Sequence, residues 1–325
     1  MPSRNRLALI AAIVLVPLVG FGVALLLLLP GDDTELSSSD VDSTDATTMS
    51  TQTTSTTTTT STTPPTTAVT PKLGPSSPLP SVPQPGEPVA ASDPAALAEQ
   101  LQGAWVDLST GAPHTAQIAH RYQVAVRKLS SDESLREPTY ARITDAAVEQ
   151  QVRADVDAGV KLRKLVGKPR TSLPPWQIVE PMAADELKAL YVEAEAEFGV
   201  GWSYLAAVNL VETRMGRIRG TSEAGAQGPM QFLPATWNQY GEGGDINSYR
   251  DSIRAAARYL KRNGAPGDMR NALWNYNHSY DYVDAVTAYA LRMATDAAAF
   301  TSYYGWQVYY VTTAGDVWLP VGYGT

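Results

Sequence analysis

The sequence predicts a mainly α-helical protein with a C-terminal β-hairpin, and three observations carry that expectation. Apolar residues recur three and four positions apart through most of the chain beyond residue 92, the spacing that stacks side chains on one helical face. Capping residues stand before these runs, as Asp93 before Pro94, Asp268 before "MRNALWNYN" and Ser279 before "YDYVDAVTAYALRMA". Alternation of the strand type is confined to the aromatic tail "YYGWQVYYVTTAGDVWLPVGYGT", with "TAGD" as its turn, which places the hairpin in 301–325.

The first ninety or so residues stand apart from that helical body. Arg4 and Arg6 precede an apolar run from Leu7 to Leu29, broken only by Gly and Pro, and Asp32, Asp33 and Glu35 follow it. Such a run is long enough to cross a bilayer, and basic flanks stay cytoplasmic. The expectation is therefore a cytoplasmic tail at 1–6, a single-pass signal anchor at 7–29 and an exported remainder on the extracytoplasmic side of the membrane. A cleaved signal peptide is the alternative, but no small-x-small site follows "LLLLLPGDD". The chain has no cysteine, so neither a lipid on cysteine nor a disulfide framework is available.

Residues 30–92 are dominated by Thr, Ser and Pro and carry too little apolar surface to offset the entropy of ordering them, so they are expected to form a disordered stalk. As a flexible coil of ~60 residues it would reach about 45 Å, and further with proline stiffening. Whether it carries O-linked sugars stays open. The net charge is −8 with no basic block, which argues against nucleic acid as a partner.

Three amphipathic segments make 93–175 a helical accessory region: one from Asp93, one from Thr115, and "DAAVEQQVRADVDAGVKLRKLV", with Val148, Val152, Val156 and Leu165 near one face. His114 and His120 lack metal-ligand spacing partners and read as structural or surface residues. The Pro-rich "KPRTSLPPWQIVEP" then sets either a domain boundary near residue 175 or a loop within one helical body, since Trp176 and Ile178 are apolar enough to be tucked in. Within 176–300, Asp251 or Ser252 is expected to cap "IRAAARYLKRN".

One residue breaks the apolar pattern. In "YLAAVNLVETRMGRI", helical spacing stacks Leu205, Val208, Glu212 and Met215, so a carboxyl group sits in an apolar column, followed by Gly216 and the glycine-rich "GTSEAGAQGPMQF". Apolar surroundings disfavour the ionised form and raise the pKa toward the range of a general acid, the chemistry needed to protonate the leaving oxygen of a glycosidic bond.

The runs "ETRMG" (212–216), "GAQGPMQFLPATW" (225–237), "DINSYRDSIRAAARYL" (245–260) and "ALWNYNHSYDYVDAV" (272–286) resemble, in order and spacing, the soluble-type lytic transglycosylase domain over residues 185–292. The resemblance implies a lysozyme-like α-helical fold that cleaves the β-1,4 bond between N-acetylmuramic acid and N-acetylglucosamine in peptidoglycan glycan strands. It makes Glu212 the sole acid/base: Glu212 protonates the leaving oxygen, then takes the proton of the muramoyl C6 hydroxyl as that oxygen attacks C1, giving a 1,6-anhydro end. It also implies substrate-binding roles for Thr213, Gly228, Met230, Gln231, Tyr276 and Asn277, with the Tyr276 hydroxyl or ring near the glutamate or a sugar; His278, next to that pair, is a further candidate by its nearness to the expected cleft. No metal or cofactor is implied. The chain departs from the family in Thr213 for the commoner Ser, in Pro229, and in "YNHS" for "YNAG".

A glycosidase that uses water or a covalent intermediate needs a second carboxylate at ~5 to ~9.5 Å. The candidates are Glu223, Glu242, Asp245, Asp281 and Asp284, none in surroundings like those of Glu212. A muramidase acting on the same bond and a non-catalytic wall-binding scaffold remain the competing readings.

Overall fold

The computed structural model describes residues 73–325, so the anchor expected at 7–29 and the stalk before residue 73 lie outside the described residues. Among the described residues no helix is long and apolar enough to cross a membrane. The architecture is mainly helical with two small antiparallel β pairs. The N-terminal helices are α1 (Pro94–Ser109), α2 (Thr115–Ser131), α3 (Arg136–Tyr140) and α4 (Ala146–Leu165). After the proline-rich joint come α5 (Ala184–Phe198), α6 (Trp202–Thr213), α7 (Pro234–Tyr240), α8 (Tyr249–Arg262), α9 (Met269–Tyr276), α10 (Tyr280–Thr295) and α11 (Ala297–Gly305).

The helix starts follow from local chemistry. The Asp93 carboxylate accepts from Ala95 and Ala96 N–H at the head of α1, Asp268 accepts from Asn271 at α9, and Ser279 accepts from Tyr282 at α10. The helix expected from Asp251 or Ser252 begins earlier: Ser248 is the cap of α8, its hydroxyl accepting from Asp251 N–H, so Asp251 lies in the first turn.

The long helix α10 is the centre of the body, packed on α4 and on α6, while α5 lies against both α6 and α8. One continuous apolar core therefore runs from Leu97, Leu101 and Val152 of the N-terminal helices to Leu205, Val283, Val286 and Tyr303. The tail folds as expected in kind but over a shorter span. Residues 301–305 belong to α11, and β3 (Val308–Thr312) pairs with β4 (Gly315–Leu319) around Thr313 and Ala314.

A second, smaller cluster gathers Leu173, Trp176 and Ile178 of the joint with Ile218 and the hairpin residues Val308, Val317 and Leu319. Its backbone seam is the pairing of β1 (Gln177–Ile178) with β2 (Ile218–Arg219), which fastens the joint to the chain just past α6. Residues 73–92, assigned to the stalk by composition, lie instead on the main core, at Ala90 and Ala91, and along this cluster. Leu73, Leu79 and Val82 pack on it, and Gln84 Nε2 donates to the Trp318 carbonyl at 2.6 Å. Three aliphatic side chains among the prolines provide apolar surface that the Thr-rich tract lacks.

Candidate active site

Helix α6 is apolar nearly all round, and every residue from Leu205 to Thr213 is buried. It is therefore a helix of the interior, enclosed by its neighbours. Glu212, in its last turn, has no solvent-exposed surface. The helix ends sooner than the apolar column suggested: Arg214 and Met215 take left-handed backbone at φ 54° and 60°, and Gly216 follows at 83°. Met215 is therefore beyond the helix, its N–H closing onto the Asn209 carbonyl while the Arg214 N–H closes onto Leu210. Gly216 is required twice over, because its φ is positive and a Cβ there would sit 2.2 Å from the Tyr249 hydroxyl.

The glycine-rich loop is pinned to α6 by a chain of side chains. The Tyr191 hydroxyl donates to Asn209 Oδ1 at 2.6 Å, and Asn209 Nδ2 donates to Thr213 Oγ1 and to the Pro229 carbonyl. Thr213 Oγ1 in turn donates to the same carbonyl at 2.6 Å and accepts from Gly216 N–H. Paired backbone bonds between Gln227 and Phe232 close the four residues Gly228 to Gln231 into a tight turn. At Gly228, φ is 75° and a Cβ would stand 1.9 Å from the Ile246 carbonyl oxygen. Gln231 accepts φ 51°, and both its backbone N–H and its Nε2 donate to the Gly228 carbonyl.

The hydroxyl that meets the glutamate comes from Tyr282, donating to Glu212 Oε1 at 2.8 Å. Tyr276, expected near the glutamate or a sugar, is close enough to Glu212 for the carboxyl to join burial in raising its pKa, and its hydroxyl is engaged by the turn. Its hydroxyl donates to the Met230 carbonyl at 2.6 Å, and its buried ring stands edge-on to Phe232 and Tyr259. Ser279 caps α10 so that Tyr282, one turn in, faces α6. The signal was present as the i, i+4 pair of Tyr282 with Val286.

Burial pushes the Glu212 pKa up from 4.5 to about 8, against the opposing hydrogen bond from Tyr282. Tyr282 itself is pushed well above the ordinary tyrosine range by burial and by the neighbouring carboxyl. Since Tyr282 donates to Oε1, the acidic proton belongs on Oε2, which has no hydrogen-bond partner within the protein. Gln231 Oε1 is likewise buried and unpartnered.

The acidic candidates for a second carboxylate are occupied elsewhere. Glu223 pairs with Arg170 at 2.9 Å, Glu242 with Arg258 at 3.0 Å, and Asp281 with Lys164 at 3.6 Å. Asp284 is shared by Lys161 and Arg270, and Asp245 accepts from the Asn247 N–H. Among the described residues the other buried carboxylate is Asp155 of α4, which sequence reasoning missed. It accepts from the Tyr122 hydroxyl at 2.7 Å and from that of Tyr303, and burial raises it to about 6.

The residues expected to bind substrate fall into two groups. Thr213, Met230, Gln231 and Tyr276 are buried and hold the turn against α6. Asn277 is buried just past the end of α9, whereas His278 is partly exposed, its ring edge-on to Trp274 at 4.3 Å between centroids. Among the described residues no cluster of His, Asp or Glu has the arrangement of a metal site. Comparison with protein-family models, curated proteins and solved structures found no match to this chain.

Proposed function

We propose that the protein is a peptidoglycan lytic transglycosylase with a lysozyme-like catalytic fold, tethered to the cytoplasmic membrane by residues 7–29. The observation that carries this reading is a fully buried glutamic acid held by one tyrosine hydroxyl and, among the described residues, without a carboxylate partner; burial pushes its pKa up to about 8. A lone acid/base suits a reaction in which the nucleophile is part of the substrate. Glu212 gives its Oε2 proton to the glycosidic oxygen as the C1–O bond breaks. The resulting carboxylate removes the C6 hydroxyl proton while that oxygen bonds to C1, so the glutamic acid is regenerated and no water is consumed. Because Glu212 is covered in this form, substrate entry requires a displacement of the side chains around it, and closure behind the sugar would exclude water from C1.

Mass spectrometry of purified peptidoglycan digested by the full chain tests the reading. Anhydro-muramoyl ends, one water lighter than reducing ends, are expected, with a loss of about 10²–10⁴-fold in rate for Glu212→Gln, the usual worth of a general acid. Products with reducing ends alone would make the protein a hydrolase. Unchanged lysis by Glu212→Gln would remove Glu212 from the chemistry.

A further inference from the structure

Arg214 lies two residues beyond Glu212 and takes no part in the chemistry proposed above. It is 9 % exposed, its Nη1 donates to the Leu210 carbonyl at 2.8 Å, and no carboxylate among the described residues pairs with it. The C-terminal carbonyls of α6 offset only part of its charge, since a helix end carries about half an elementary charge. Arg214 lines a small cavity of about 20 Å³ together with Arg127, Arg163, Gln123, Tyr289 and Trp306. The walls thus come from α2, α4 and α10, from the residue after α11, and from the residue that ends α6.

The chemistry of that wall is one-sided. Three arginines line the cavity, and no acidic residue does among the described residues. The one carboxylate paired with any of them, Asp316, is shared by Arg127 and Arg163, leaving a surplus of positive charge. Asp155 is committed to the Tyr122 and Tyr303 hydroxyls, and the cation beside it is Arg292. Two N–H donors on the lining side chains find no acceptor in the protein: Nε1 of Trp306, which is 4 % exposed, and Nε of Arg127. A buried cation without a counter-charge and a buried donor without an acceptor are both unfavourable. A volume of about 20 Å³, above the ~10–15 Å³ needed for one water, has room for a small bound species.

We propose that this cavity binds one monatomic anion, chloride in physiological medium, held by the Trp306 indole N–H and the Arg127, Arg163 and Arg214 guanidinium groups. The ion ties the N-terminal helices to the end of the helix that carries Glu212. A water molecule would satisfy the donors but leave the surplus charge.

The test is thermal unfolding of the full chain in detergent at fixed ionic strength, with sodium chloride or bromide exchanged for sodium gluconate, whose anion is too large to enter. A saturable rise in Tm with halide is expected. Trp306→Phe keeps the ring and removes one donor, so half-saturation should move up about tenfold, the worth of one hydrogen bond to an ion. Arg214→Met should abolish the response, and if that variant fails to fold, the wild-type and Trp306→Phe titrations decide. Crystals grown in bromide should show an anomalous peak inside the cavity. Equal Tm values in halide and gluconate, or a bromide crystal without that peak, would overturn the proposal.

Discussion

Glu212 is costly to the fold at the pH where it is useful. Its folded-state pKa of about 8 lies above the 4.5 of an unstructured glutamate, so between those values the folded chain holds a proton that the unfolded chain has released. Raising the pH through that window therefore favours unfolding, by up to about 1.4 kcal/mol per pH unit. Glu212→Gln, which preserves an acceptor for Tyr282, should match the parent near pH 5 and be progressively more stable toward pH 8, as read by Tm. Activity should follow the same proton: kcat/KM is expected to fall as pH rises through about 8. Tyr282→Phe removes the interaction that opposes the shift, so the alkaline limb of that profile should move to higher pH while the rate drops. If the limb stays in place in that variant, Tyr282 does not set the acidity of Glu212. The acid itself was legible as a carboxyl among apolar residues, whereas the i, i+4 pairing of Tyr282 with Val286 marked that tyrosine only as inward-facing and did not say that its hydroxyl would meet Glu212 rather than that of Tyr276, which is also buried. Asp155 carries the same kind of signal, a carboxyl beside Val152 and Val156, without a glycine-rich loop after it.

The turn from Gly228 to Gln231 is held by hydrogen bonds that converge on two carbonyls, Pro229 and Met230. Proline fits because the position needs a carbonyl acceptor and no N–H. Gly228→Ala should displace the turn from Ile246, since the added methyl meets a backbone oxygen and the φ is positive. Wall lysis should be lost with a stability cost of roughly 1–3 kcal/mol. Near-parental lysis by that variant would show that the turn geometry is dispensable. The helices themselves were readable from period and caps, with α8 offset because Ser248 competes with Asp251 and Ser252 for the capping position. The left-handed close of α6 was not readable, because Arg214 and Met215 are ordinary helix formers forced out by tertiary packing.

At the scale of the molecule, the proline-rich joint could be read as a boundary or as an internal loop, and composition had no means of deciding. What distinguishes the two is the face of α10 turned to α4, a long-range contact that joins the accessory helices and the glutamate helix in one core. Residues 176–325 expressed alone should therefore expose that face and aggregate or bind a hydrophobic dye, whereas 73–325 should unfold in a single cooperative transition. Independent, cooperative folding of 176–325 would mean that the accessory helices are an addition to a self-sufficient body.

Residues 73–92 give the molecule a mechanical property. Their first part rests on the hairpin cluster through a few aliphatic contacts and the Gln84 bond, and their last residues bond Gln100 of α1, without a strand pairing of their own. Tension applied through the chain before Leu73 would meet these aliphatic contacts first and reach α1 last, where the Gln100 side chain holds Val89 and Ala91 and where Ala90 and Ala91 join the shared core. Peeled as far as Pro88, the segment would span at most about 50 Å at ~3.3 Å per residue of extended chain, a fuse that gives way before the glutamate helix is stressed.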